Sequence, residues 1–131
     1  METAEVHSMT MELMHCLAEL FFGNDAEKFR VFQLESALNF IPYGCLVDEF
    51  QHEVYENPKL NAAGTKKLWL KLEKKYRPWL DFDNVPFFKD GGGFQKQHHI
   101  YCYPFIILII VWPKRLLWNS GVNQIETGKS V

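Results

Sequence analysis

Two arrangements of side chains in this sequence could do chemistry. Glu12 and His15, and again Glu49 and His52, stand three residues apart, so on a helix each pair projects from one face. Two Glu-x-x-His pairs on separate helices, with further glutamates, are what a di-iron carboxylate bundle requires. The competing reading is two solvated acidic faces, because Glu and His are common on helix surfaces. The second arrangement is His98-His99 followed by Tyr101 and Tyr103, beside Gly91-Gly92-Gly93. Imidazole and phenol donors this close together can hold a developing oxyanion, or can simply form the edge of an amphipathic core. Glu5, His7 and Ser8 share one turn near the start, where a glutamate also complements the helix dipole.

The elements that must carry these residues read as helices. Met9, Leu13, Cys16, Leu17 and Leu20 recur at helical spacing over 4–22, and Gly23-Asn24 stops the pattern. Asp25 opens a second helix to about Phe40, with Val31, Phe32, Leu34, Leu38 and Phe40 forming a wide apolar surface. Pro42-Tyr43-Gly44 interrupts, and a third helix follows from Cys45 to Glu56, ended by Asn57-Pro58. Asn61 caps a fourth over 62–76, with Leu68, Trp69 and Leu72 inward and five lysines outward. Residues 77–95 carry Pro78, Pro86 and the triple glycine and read as a loop, the glycines as a hinge or a close backbone approach. A further helix is predicted from Gln95 to Tyr103. The expected class is all-α, with an irregular C-terminal tail.

Composition narrows the function classes. With 131 residues, 47% of them apolar and 15% aromatic, the chain can build one core, which excludes disorder for most of it. Residues 1–60 hold eleven acids against three bases, and 61–131 five against eleven. No Arg cluster is interleaved with aromatics, so no nucleic-acid groove is expected; the lysines of 66–75 read as a solvated helix face. Cys16, Cys45 and Cys102 lack a CxxC spacing and suggest buried thiols in a reducing compartment. The acidic start is unlike a secretory leader, and the apolar run Phe105 to Trp112 is far short of the roughly 20 residues that span a bilayer. A cytoplasmic protein without a membrane segment is expected.

The stretches 3–12 (TAEVHSMTME), Phe40 to Gly44 (FIPYG), Val47 to His52 (VDEFQH), Tyr55 to Pro58 (YENP), Trp69 to Trp79 (WLKLEKKYRPW) and Gly91 to Phe105 (GGGFQKQHHIYCYPF) stand in one order along the chain. Together they resemble oligoendopeptidase F-type zinc metallopeptidases, of the thimet-oligopeptidase-like family. The resemblance covers residues 2–105 and implies a mostly helical enzyme that cuts short peptides. By that match Glu5 is the zinc-ligating carboxylate, and His99 first, Tyr103 second, then His98 and Tyr101, hydrogen-bond the tetrahedral intermediate. Zinc held by two imidazoles and one carboxylate keeps a fourth position open for water. Under this reading the Glu-x-x-His pairs are structural.

The sequence departs from the family in two places. HExxH is absent: His52-Glu53-Val54-Tyr55-Glu56 has a glutamate where the second histidine belongs. Two of the three zinc ligands and the general base are therefore missing, and inactivity alone is expected. Beyond Phe105 the family continues with a tyrosine-rich helix resembling Y-Y-I-D-Y-x-L-A-Q. Combining the last base of each codon from Phe105 onward with the first two of the next permits Y-Y-I-D-Y-C-L-A-Q-T-F-A-L-E-F-W. Trp112-Pro113 must then read Ala, and Trp118-Asn119 must read Glu. Two regions are thus expected: 1–105, a partial metallopeptidase catalytic domain, and 106–131, an out-of-frame tail. The run Ile106 to Val111 has the signature of an aggregation-prone strand, and helix faces whose partners are missing imply self-association. A split peptidase, completed by a second chain carrying HExxH, and the di-iron bundle are the alternatives.

Overall fold

The computed structural model describes residues 18–107 and 111, and every regular element among them is helical. The elements are α1 (Ala18–Phe22), a 3-10 turn (Gly23–Asp25), α2 (Ala26–Glu56), α3 (Ala62–Tyr76), α4 (Pro86–Lys89), a second 3-10 turn (Gly92–Lys96) and α5 (His98–Cys102). The chain forms two compact units, one of 42–108 and one of the remainder. Most of the first predicted helix, 4–17, lies outside the described residues, as do Glu5, Glu12 and His15.

The predicted break at Pro42 does not occur: α2 runs through it as one helix of 31 residues. A proline inside a helix removes one backbone bond and crowds the carbonyl four residues back, at a cost of about 3 kcal/mol. The turns just beyond it offset that cost by burial. Leu46, Val47 and Phe50 are 0–2% exposed, and burying each such side chain contributes roughly 1.5–3 kcal/mol. Local propensity loses to tertiary packing.

In the unit holding 42–108, α3 begins where the sequence indicates. The Asn61 side chain accepts the Gly64 N–H at 2.8 Å, satisfying one of the donors left free at a helix start. Trp69 and Leu72 are buried as expected, and the Trp69 ring meets Phe50 edge-on at 4.9 Å and Phe94 at 6.0 Å. This aromatic group is the centre of the core.

The segment read as a loop, 77–95, holds α4 and part of the second 3-10 turn, tied by Phe82–Phe88 stacking at 5.4 Å and Lys89–Asp83 at 2.8 Å. The glycines mark close approach rather than a hinge. Gly91 has φ +77°, and a Cβ there would lie 2.5 Å from the Lys66 carbonyl oxygen; at Gly93 it would lie 2.6 Å from Trp69 Nε1. The helix predicted over 95–103 shrinks to α5, because the chain from Gly92 winds as a 3-10 turn first.

Three further expectations change. Cys102 is exposed and Cys45 half-buried, so neither is the fully buried thiol that the composition suggested; Cys16 lies outside the described residues. Ile106, Ile107 and Val111 are helical rather than strand-like, with Ile107 and Val111 buried, since an unbroken apolar run cannot be told from a buried helix by periodicity. In the remaining unit the described part of α2 leaves apolar side chains open, as the sequence implied. Val31, Phe32, Leu34 and Leu38 of α2 are 42–64% exposed, while Phe22 stacks on Phe29 at 4.2 Å.

Candidate functional site

The candidate site lies at α5. The turn over Gly92–Lys96 delivers the chain to Gln97, whose carbonyl accepts the Ile100 N–H at 3.1 Å and starts the helix. His98 and His99 occupy its first turn, Tyr101 its last, and Tyr103 ends it by donating its N–H to the His99 carbonyl at 2.9 Å.

The four predicted residues separate into different environments. Tyr101 and Tyr103 are 58% and 59% exposed, although burial still pushes the Tyr101 pKa up. His98 is also exposed, and its Nδ1 lies 3.8 Å from the Cys102 sulfur. His99 alone turns inward. Its Nε2 is shut off from solvent and has no hydrogen-bond partner among the described residues. Burial, then the charge of His98, holds its pKa below the ordinary 6.5, so at neutral pH it is an uncharged imidazole. An imidazole of that kind can donate or accept one hydrogen bond without bringing a full charge into the site.

Its neighbours were not legible in the sequence. Among the described residues the ring partner of His99 is Tyr43, 56 residues earlier, edge-on with centroids 6.4 Å apart. The Tyr43 hydroxyl donates to Gln97 Oε1 at 2.5 Å, and burial pushes its pKa up to about 12, with Arg77 opposing and Glu73 adding to the rise. The Arg77 guanidinium lies 5.2 Å from the Tyr43 ring centroid, a cation–π contact. A two-pronged ion pair anchors it, Nε to Glu73 Oε2 at 3.0 Å and Nη2 to Oε1 at 2.5 Å. Glu73–Arg77 is visible in the sequence as an i,i+4 pair on α3. Tyr43 is not: 54 residues separate it from Gln97, and in the sequence it stands inside an apparent helix break.

Further along α2, Gln51 and His52 lie against Phe105. Gln51 is 1% exposed and accepts the Phe105 N–H at 3.2 Å, holding that residue at φ +63°. The Phe105 ring packs on His52 at 4.9 Å and Tyr55 at 5.4 Å. Gln51 therefore fixes the direction in which the chain leaves α5. A left-handed conformation at a non-glycine residue is uncommon, and no motif announced this one.

No group of three or more His, Cys, Asp or Glu side chains that could hold a metal occurs among the described residues. The Glu49–His52 half of the di-iron alternative does not converge. Both Glu49 oxygens are taken by Lys75, at 2.8 and 2.6 Å, and Tyr76 bonds one of them, while His52 leans toward Asp48 at 3.7 Å. Zinc thus has no site among these residues, and Glu5, the ligand that the resemblance implies, lies outside them. Nor is any helix among the described residues long and apolar enough to cross a membrane.

This all-helical fold, with a half-buried imidazole on a short helix beside a glycine turn, is peptidase-like. A solved structure that it matches is described as PZ peptidase A with inhibitor 2, at 40% identity and a TM-score of 0.88. The match covers 95% of this chain and 22% of that one, so the chain spans about a fifth of the solved protein's length. No family model and no curated protein matches the sequence.

Proposed function

We infer that this chain is the C-terminal portion of a zinc-dependent, oligoendopeptidase F-type catalytic domain. Its expected work is to supply Glu5 as a third metal ligand and His99, with Tyr103, Tyr101 and His98, as hydrogen-bond donors to a peptide undergoing attack. The observation that carries this reading is 40% identity sustained over 95% of the chain at a TM-score of 0.88. An identity of that order preserves the placement of side chains as well as the path of the backbone.

Within this reading the chain positions and does not activate. A neutral His99 can hydrogen-bond a peptide oxygen once its Nε2, closed to solvent in this structure, is opened to the substrate, and that bond strengthens as the oxygen gains negative charge. The HExxH residues that would bind zinc and take a proton from water are absent from the sequence, so the chain by itself is inactive. Residues 106–131 carry none of the work. The substrates are short peptides, and a polypeptide bearing HExxH is the required partner, either joined to this chain or as the other half of a split enzyme.

A segment exchange tests the proposal. The part of PZ peptidase A matched by this chain is replaced by the present sequence, and hydrolysis of a quenched fluorescent peptide is followed. Residual hydrolysis that is abolished by His99→Ala supports the reading. A folded chimera that fails to bind inhibitor 2 refutes it, as does zinc-dependent hydrolysis by the isolated chain.

A further inference from the structure

The strongest unassigned feature is the link between Tyr43 on α2 and the start of α5. We propose that Tyr43, acting through Gln97, is the positioning residue that holds the His99 ring in its dry slot with Nε2 unengaged. Its catalytic meaning rests on the peptidase reading; the link itself does not, and it can be measured in this chain alone.

Three observations support it. First, the hydroxyl of Tyr43 donates to Gln97 Oε1 at 2.5 Å, and Gln97 is the residue from which α5 departs, two before His99. The bond therefore ties the base of the short helix to a helix of 31 residues. A five-residue helix cannot hold its own orientation, because isolated helices this short are unstable in water. Second, the Tyr43 ring also meets His99 directly, edge-on at 6.4 Å. Third, Tyr43 is itself held from behind by Arg77 over its ring, and Arg77 by both oxygens of the buried Glu73. The order Glu73, Arg77, Tyr43, Gln97, His99 passes from α3 through α2 to α5, each link a hydrogen bond, an ion pair or a ring contact apart from the two-residue step from Gln97 to His99.

Among the described residues, the titratable and charged groups around His99 are His98 on its own helix, Tyr43 from α2 and, behind Tyr43, Arg77 and Glu73 from α3. Burial depresses the basicity of His99 more than His98 does. Loosening α5 would admit water to Nε2 and return the imidazole toward its ordinary value of about 6.5. A role confined to general stability would leave that value in place as long as the protein stayed folded.

The experiment is an NMR titration of His99 in the full chain. In the unsubstituted protein the Tyr43 hydroxyl proton should exchange slowly and show a cross-peak to the Gln97 side chain, with His99 titrating below the ordinary range. Tyr43→Phe keeps the ring and the Arg77 contact and deletes only the donor; Gln97→Ala deletes the acceptor from the other side. Each should shift the His99 titration upward with unchanged helical circular dichroism, and should expose Nε2 to solvent exchange. A folded variant of either kind in which His99 titrates where it does in the parent overturns the proposal. So does a parent spectrum with no protected Tyr43 hydroxyl. Failure of the chimera described above, with these shifts intact, would sink the peptidase reading and leave the link standing.

Discussion

Gly91→Ala gives the sharpest test of how the candidate site is placed. Gly91 lies at φ +77°, a region in which an L side chain costs about 1–2 kcal/mol. A Cβ there would sit 2.5 Å from the Lys66 carbonyl oxygen, 3.0 Å from its carbon and 3.1 Å from Leu70 Cγ. The first two atoms are backbone within α3 and cannot rotate aside, so overpacking adds roughly 1–3 kcal/mol. Together the terms come to about 3 kcal/mol, a large share of the roughly 5–15 kcal/mol that keeps a domain folded. The entropy gain that often accompanies Gly→Ala does not apply, because the native backbone is one that Ala resists.

Gly23→Ala isolates the first term. Gly23 also has positive φ, +50°, yet nothing lies within 4 Å of its Cβ position, so only about 1–2 kcal/mol should be lost. Urea unfolding followed by circular dichroism and tryptophan fluorescence compares the two, read as a shift in midpoint at constant slope. Equal losses for the two variants, or a Gly91→Ala loss under about 0.5 kcal/mol, would refute the close approach of the glycine turn to α3. Because that turn leads directly into α5, Gly91→Ala should also move the NMR signals of His98 and His99, whereas Gly23→Ala should not.

Three other outcomes are expected. Glu73→Ala leaves the Arg77 guanidinium without its buried carboxylate, and loss of one member of such a pair costs about 3 kcal/mol; a urea midpoint matching the parent would contradict the ion pair. Asp48 and Glu49 are adjacent yet should give opposite pH slopes. Burial raises the Asp48 pKa, so its contribution is present below the unfolded pKa and is lost as pH rises through the folded one; Lys75 and then Tyr76 lower that of Glu49, whose contribution is present above the unfolded pKa and is lost as pH falls through the folded one. Accordingly Asp48→Asn should remove a decline toward neutral pH, and Glu49→Gln should remove part of the acid-side loss, a small one since that pair is largely exposed; slopes of the same sign would exclude this assignment. Finally, Phe32→Lys with Leu38→Lys should reduce self-association in sedimentation, because both side chains belong to the exposed apolar face of α2; equal association by the double variant would place the contact elsewhere.

Much of the fold was present in the sequence because it depends on local rules. Asn61 before a run with Leu68, Trp69 and Leu72 at helical spacing specifies α3 to the residue, since cap and apolar period act within one or two turns. The three glycines announced a place where only a missing side chain fits. His99 was indicated by the company of His98, Tyr101 and Tyr103, and by resemblance, rather than by its surroundings.

What only the tertiary structure decided depends on partners distant in the chain. Pro42 reads as a helix end from its ring and missing N–H, but burial of Leu46, Val47 and Phe50 carries α2 straight through it. Composition and spacing alone do not separate the four aromatic and imidazole side chains over 98–103; folding leaves Tyr101 and Tyr103 largely exposed and turns His99 alone against Tyr43. Tyr43, Gln97, Arg77 and Glu73 acquire a common role only when α2, α3 and α5 meet. Basicity and orientation are set by desolvation and hydrogen bonding, and both arise from contacts across 54 residues that no local pattern encodes.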